Sequence, residues 1–253
     1  MRAVLLAAGR GLRLGPLGQE RPKCLLPFAG RSLLARHVEC LRALGVDEIV
    51  LIVGFREDEV HAELAALAGA SRPTTVTNPR FERGSVVSLW TAREALCAGG
   101  DVLLMDADVL YDRAILARLV EGGAGNVFLI DRKFDDGGQE AVKLCLRRGV
   151  PVEFRKRLAP ELEYDLVGES VGFFRFSEPI ARALAARCGE YLAADRLDEP
   201  YEEAIRDLLL ERPAEFRVED ITGLPWIEID FPDDVRRAQE EILPRLSQAR
   251  RRA

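Results

Sequence analysis

The chain of 253 residues predicts an α/β fold with a mostly parallel sheet and crossover helices. From Arg2 to Ile130, apolar runs of strand length alternate with segments of helical period. After Asp131 the pattern changes to a β-rich stretch before helix returns. No repeat, linker or low-complexity tract interrupts the sequence, so residues 1–253 read as one domain with two halves, 1–131 and 132–253.

Arg2–Leu6 is a first buried strand. Ser32 then caps a helix in which Leu33, Leu34, Val38, Leu41 and Leu44 recur at spacings of three and four until Gly45 ends it. Strands follow at Glu48–Val53, Thr75–Thr77 and Val102–Met105, separated by helices over Asp58–Leu67 and Val86–Leu96. A helix from Asp112 to Val120 and a strand from Asn126 to Ile130 complete the alternating part. Beyond Asp131, Val142–Leu146 and Val150–Arg155 suggest a hairpin, and Ser170–Phe176 is strongly β-prone. Helices over Ile180–Tyr191 and Tyr201–Leu210 precede short strands at Glu215–Val218 and Trp226–Ile229. Pro232 opens a last helix through Leu246, and Arg250 to Arg252 read as a solvated tail.

The most informative run is Leu5-Leu6-Ala7-Ala8-Gly9-Arg10-Gly11-Leu12-Arg13-Leu14-Gly15, with Pro22-Lys23-Cys24-Leu25 close behind. A strand that opens into glycines brings main-chain amides close to a phosphate chain, because glycine places no Cβ in the way. Arg13 offers a fork and Lys23 a point charge, two different ways to meet phosphate oxygens. Lysine occurs only at positions 23, 133, 143 and 156, so a retained ammonium at Lys23 suggests a specific need for one. The spacing is neither a Walker loop nor a clean dinucleotide loop, which makes an ATPase reading weak.

Two acidic strand ends complement the cations. Asp106-Ala107-Asp108 follows one strand, and Trp226-Ile227-Glu228-Ile229-Asp230 places Glu228 and Asp230 on one face by the period of two. One carboxylate from each strand end suits a hard divalent cation that also bridges phosphates. Helix capping is the competing reading: Asp112 or Asp230 could serve as a cap. Ligands of such sheets bind at the carboxyl ends of the strands, so the glycine loop and Asp106–Asp108 should face one crevice.

The formal net charge of −6 argues against a nucleic-acid surface. No apolar stretch reaches about 18 residues, so no membrane insertion is expected. Met1-Arg2-Ala3 runs directly into a strand, and a cytoplasmic location is expected. Five scattered cysteines, Cys24, Cys40, Cys97, Cys145 and Cys188, support neither a disulfide framework nor a zinc site. His37 and His61 fall inside expected helices and read as packing or surface residues.

Leu6-Ala7-Ala8-Gly9-Arg10-Gly11-x-Arg13, Pro22-Lys23-x-Leu25, Asp108 and Trp226-x-Glu228-x-Asp230 together resemble nucleotidyltransferases that activate phosphorylated alcohols and sugars. Asn78-Pro79-Arg80-Phe81-Glu82 with Ser88-Leu89 resembles the phosphocholine and inositol-phosphate cytidylyltransferases within them, although Ser85 stands where many relatives have Asn. The resemblance implies a three-layer sandwich of the GT-A-like nucleotidyltransferase type, with a nucleotide-binding first half and an acceptor-binding second half. It implies reaction of CTP with a phosphate or phosphonate monoester, release of pyrophosphate, Mg2+ as cofactor and often a homodimer. Carried over residue by residue, Arg13 and Lys23 are catalytic. Leu6, Ala7, Ala8, Gly9, Gly11, Asn78, Ser85, Ser88 and Asp106 contact the nucleotide, and Asp108 and Asp230 hold the metal. Lys143, Glu169, Ser170, Tyr201, Trp226 and Glu228 are the candidates for the acceptor. The acidic and aromatic members would suit a choline- or aminoethyl-like cation, with inositol, polyol and sugar phosphates as the other acceptors. Sugar-1-phosphate transfer from UTP or dTTP is the nearest alternative. A glycosyltransferase would not need Arg13 and Lys23, and a silent nucleotide sensor would not need to retain Lys23 and Asp230.

Overall fold

A computed structural model describes residues 1–67, 72–134 and 140–246. Arg250–Arg252 therefore lie outside the described residues. The chain starts with β1 (Arg2–Leu6), passes through a 3-10 turn at Leu12–Leu14, a short α1 (Pro16–Glu20) and a second 3-10 turn at Lys23–Leu25, and forms a small hairpin of β2 (Pro27–Phe28) and β3 (Arg31–Ser32). The Ser32 hydroxyl then accepts from the Ala35 N–H at 3.0 Å and starts α2 (Leu33–Ala43), as its capping chemistry predicts. Next come β4 (Glu48–Val53), α3 (Glu57–Ala66) and β5 (Thr74–Thr77).

The helix expected over Val86–Leu96 is two helices, α4 (Ser85–Thr91) and α5 (Arg93–Cys97). Thr91 Oγ1 donates to the Val87 carbonyl at 2.8 Å, a competing bond that bends a helix at this turn. Then β6 (Val102–Asp106) leads into β7 (Val109–Tyr111), α6 (Arg113–Glu121) and β8 (Asn126–Asp131). The second half adds β9 (Lys143–Arg147), β10 (Val150–Arg155) and β11 (Leu166–Phe176), which starts four residues before the expected Ser170. It ends with α7 (Glu178–Ala193), α8 (Tyr201–Glu211), β12 (Phe216–Asp220), β13 (Trp226–Glu228) and α9 (Pro232–Arg237), whose helix continues through a π turn at Ala238–Ile242.

The nine-stranded sheet runs β10-β9-β11-β6-β1-β4-β5, with β8 pairing β11 and β12 beside that path. The β6-β1-β4-β5 block is parallel and the β10-β9-β11 block antiparallel, with β11 also antiparallel to β6. Strand alternation divides the core. Val4, Val50, Leu104, Phe128 and Phe174 pack under α4, α5, α7 and α8, whereas Ala3, Leu5, Leu51, Leu103 and Phe173 face α2, α3 and α6. That is the three-layer α/β sandwich.

A separate apolar cluster lies at the sheet's end. Leu14, Leu26, Phe28 and Leu33 pack with Leu110, Ile227, Ile229, Ala238, Ile242 and Leu246. It holds the segment around Lys23 against an antiparallel β7–β13 ribbon in which Glu228 faces Val109. Three-residue strands carry too little pattern to be read from sequence, which is why β7 was not anticipated.

Candidate active site

Parallel register aligns the strand ends that carry the chemistry. Leu6 of β1 is level with Asp106 of β6 and Ile52 of β4, and the Ala107 N–H donates to the Leu6 carbonyl at 3.2 Å. The glycine loop and the acidic loop are thereby neighbours in one cleft of about 430 Å³. Leu6, Ala7, Gly9, Gly11, Arg13, Lys23 and Asp108 line it, whereas Ala8, expected beside them, is buried in the core. Gly11 adopts φ +60, and a Cβ there would come within 2.9 Å of the Lys23 side chain. Any larger residue would push the lysine out of place.

At the foot of the cleft, the Lys23 ammonium donates to Asp108 Oδ2 at 3.0 Å and to Asp230 Oδ1. Arg13 reaches the other oxygen, Asp230 Oδ2, at 2.8 Å, and also Glu140 Oε2 at 2.8 Å. Burial works against the charge on Lys23, but Asp108 and Asp230 outweigh it and hold the ammonium above the ordinary lysine value. The lysine stays cationic throughout the physiological range.

Both capping alternatives are resolved. Asp112 Oδ1 caps α6 by accepting from the Ala114 N–H at 2.8 Å, so Asp108 is not needed for that task. The helix after Pro232 is served by Asp234, whose Oδ2 accepts from the main-chain N–H groups of Asp230 and Phe231. The Asp230 carboxylate is left to face Lys23 and Arg13.

Several expected site residues stand elsewhere. Glu228, assigned above to the acceptor, joins Asp108 and Asp230 in a cluster whose ligand oxygens lie within 4.8 Å of one another. Its alternation with Asp230 along the chain brings both to one face. Asp106 does not line the cleft, because its Oδ2 accepts from the Tyr201 hydroxyl at 2.6 Å and sits over Gly172. Gly172, at φ +74, is required there, since a Cβ would come within 2.4 Å of that oxygen. Burial first, and then the Asp108 carboxylate, push the Asp106 carboxyl well above the usual range.

Tyr201 is buried, edge-on to Phe174 with ring centroids 6.3 Å apart. Its N–H donates to Ser85 Oγ at 2.9 Å, which makes Ser85 a tie between α4 and α8 rather than a side chain aimed at a base. Asn78 is likewise turned inward: its amide donates to Ser88 Oγ at 3.0 Å and its Oδ1 accepts from the Arg80 N–H at 2.9 Å. These two residues shape the loop, and the loop presents others. Trp226 Nε1 donates to Asp131 Oδ2 at 3.0 Å and ties β13 to β8. Lys143 is buried with its ammonium on the Lys156 carbonyl at 2.7 Å, and buried Ser170 accepts from the Gly172 N–H at 3.3 Å. Glu169 is level with Lys143 and Asp131 in the sheet.

The sequence reading missed Arg10, Phe81, Glu82 and Arg83, all of which line the cleft. Arg10 Nη1 donates to Glu82 Oε1 at 2.8 Å and so joins the glycine loop to the loop after Asn78. The signal was present in the Asn-Pro-x-aromatic segment, but the informative positions were the residues after Asn78. Glu140, which links Arg13 to Lys156, carried no motif at all.

Residues 3–188, which carry the glycine loop, Lys23 and Asp108, match the model of a known family. The chain belongs to the MobA-like NTP transferase domain family. Among members and relatives, a CMP-5'-(3-aminopropyl)phosphonate synthase of Streptomyces rubellomurinus is 31% identical over 99% of the chain and 40% of its own length. A bifunctional IPC transferase and DIPP synthase of Rubrobacter xylanophilus is 34% identical over 95% of the chain and 52% of its own length. The chain thus spans about half the length or less of these curated relatives. The fold of the inositol-1-phosphate CTP transferase from T. maritima superposes with a TM-score of 0.77 at 20% identity, covering 98% of this chain and 96% of that one. This NTP transferase domain contains no helix, among the described residues, long and apolar enough to cross a membrane.

Proposed function

We propose that this chain is a cytidylyltransferase, joining CTP to a phosphorylated alcohol or a phosphonate with release of pyrophosphate. The observation that carries the reading is the placement of Lys23 between Asp108 and Asp230 at the foot of a glycine-loop cleft. A glycosyltransferase has no need of that lysine. The Asn-Pro-x-aromatic loop facing the cleft, and a relative named for a CMP-linked phosphonate, favour cytosine over other bases.

The amides of the Gly9–Arg13 loop, with no Cβ at Gly9 or Gly11, are suited to receive the triphosphate. A Cβ at Gly9 would meet nothing within 4 Å, so the cleft is open on that side. Arg13 and Lys23 neutralise charge as the α-phosphoryl group is transferred, and Asp108, Asp230 and Glu140 hold the two cations in place. The acceptor's phosphate or phosphonate oxygen is already anionic near neutral pH, so positioning it in line suffices and no general base is required. Both histidines lie outside the cleft lining. Asp108, Glu228 and Asp230 form an all-oxygen donor set that fits a hard divalent ion such as Mg2+. When bound there, the ion would offset phosphate charge.

The test is pyrophosphate release from a panel of nucleoside triphosphates crossed with phosphocholine, 2-aminoethylphosphonate, inositol 1-phosphate and glucose 1-phosphate. CTP should be the productive nucleotide. Release with UTP or dTTP and the sugar phosphate, but none with CTP, would replace this reading with sugar-1-phosphate nucleotidyl transfer.

A further inference from the structure

Two of the chain's few lysines, Lys143 and Lys156, come together where β9 begins and β10 ends. The buried Lys143 ammonium donates to the Lys156 carbonyl at 2.7 Å and reaches the Ala141 carbonyl at 3.5 Å. It therefore staples together the two main-chain segments that carry Glu140 and Lys156. Between them and β11, the Val142 carbonyl accepts from the Ser170 N–H at 2.8 Å. From this fixed base the side chains reach outward. The Lys156 ammonium donates to Glu140 Oε2 at 3.0 Å, and the same oxygen accepts from Arg13 Nη1 at 2.8 Å. Neither Glu140 nor Lys156 lines the cleft that Arg13 lines.

Arg13 is thus pulled from two sides. Its Nη1 is on Glu140, its Nη2 is on Asp230 Oδ2 at 2.8 Å, and its guanidinium lies 5.4 Å from the centre of the Phe231 ring. A guanidinium left with one carboxylate favours the bidentate pairing, in which two parallel N–H bonds meet both oxygens. On Asp230 that pairing would close the fork over the oxygen that accepts from Lys23. The pull from Glu140 opposes it, and the remaining N–H donors of Arg13 are left for phosphate oxygens. Lys156 in turn holds Glu140, a half-exposed side chain whose free rotors would otherwise let it follow Arg13. Lys156 first, and then Arg13, hold the Glu140 carboxyl below its ordinary value, so the carboxylate is anionic near neutral pH.

We propose that Lys143, Lys156 and Glu140 form a relay that positions Arg13, keeping its fork from closing on Asp230 and turned towards the triphosphate. The inference rests on the role given to Arg13 in nucleotidyl transfer and deepens it: two lysines of the second half act on the transfer step without touching the nucleotide. Each link has its own task. Lys143 fixes the main chain, Lys156 fixes the carboxylate, and Glu140 fixes the guanidinium. Glu140 and Lys156 are positioning residues, and Arg13 is the group that meets the phosphates.

The test is a pair of double-mutant cycles on kcat, read by pyrophosphate release from the whole chain with CTP and its fastest acceptor. Glu140→Ala should lower kcat about 10-fold or more, the scale of a reacting group displaced by less than an ångström, with KM for the acceptor little changed. Glu140→Gln keeps an acceptor oxygen without the charge and should fall between that variant and the wild type. In an Arg13→Ala background the further loss from Glu140→Ala should shrink to within about twofold, because nothing is left to position. Lys156→Met should cause a smaller loss that disappears in the same way once Glu140 is Ala. A role in stability alone would not produce this pattern. Wild-type turnover of Glu140→Ala, or losses that multiply in either cycle in variants that melt like the wild type, would overturn the relay. The two readings fail separately. If UTP or dTTP with the sugar phosphate is the productive pair, the cycles are run with that pair and the relay is judged apart from the choice of base. Wild-type kcat in Arg13→Ala removes Arg13 from the transfer step and the relay with it, whereas a slow Arg13→Ala whose loss multiplies with that of Glu140→Ala overturns the relay alone.

Discussion

The parallel and antiparallel halves of the sheet use the same polar residue types for different ends. At the β1–β6 end, Lys23, Arg13, Asp108 and Asp230 converge on a shared cleft and partner one another there. In the second half, Trp226, Tyr201, Lys143 and Ser170 are engaged with Asp131, Asp106, the Lys156 carbonyl and the Gly172 N–H. The cations and Asp108 of the first half meet Asp230 of the second in the site, whereas Asn78, Ser85 and Asp106 of the first half, like Trp226 and Lys143 of the second, are spent on holding loops and strands together.

The sharpest way to break that contrast is Lys23→Ala. Turnover should fall by ~1,000-fold or more with a native circular dichroism spectrum if, as proposed, this cation faces the transferring phosphoryl group. Turnover near wild type would remove Lys23 from the catalytic set. Asp230→Asn is expected to be next in size: the Mg2+ concentration for half-maximal rate should rise about 10-fold or more. An unchanged magnesium titration would take Asp230 out of the metal site.

Substitution at Trp226 should act on stability instead. Trp226→Phe removes the bond to Asp131 and keeps the ring, so chemical denaturation should show a loss of about 1 kcal/mol. Its kcat/KM for the acceptor should change less than threefold, and a much larger fall would restore Trp226 to the acceptor pocket.

The smallest effect concerns His37, packed among Tyr111 and Phe173 with centroids at 5.1 and 5.8 Å. Burial lowers it to about 3 in the folded protein, against an unfolded value near 6.5. Between those values the unfolded chain binds a proton that the folded chain refuses, so the contribution to stability is lost as pH falls from about 6.5. In His37→Phe, the slope of unfolding free energy against pH between 6 and 4 should be shallower by up to one proton than in the wild type. Parallel slopes would show that His37 titrates normally.

Much of this contrast was legible in advance. Asp108 could be read because it follows a strand whose apolar run fixes where its end falls, and parallel register then leaves little freedom in how β1 and β6 align. Lys23, in a 3-10 turn, and Asp230, after β13, were legible only through the motifs that carry them. Asn78 illustrates the opposite case. Its position in a recognisable segment suggested contact with a base, but a short amide beside a turn also bonds locally, and here it holds Ser88 and the Arg80 N–H. Glu228 could be assigned to either side until β13 paired with β7 and turned its face towards Asp108.

The sequence by itself determined the alternation that builds the α/β sandwich, the glycine loop and the identity of the cations and carboxylates beside it. These depend on local periodicity and on strand ends, both written in short windows of residues. Only the tertiary structure decided that Phe81, Glu82 and Arg83 rather than Asn78 face the cleft, and that Glu140 bridges Arg13 to Lys156. Partnering between residues such as Arg13 and Glu140, more than a hundred positions apart, follows from how the layers pack, and no local pattern encodes it.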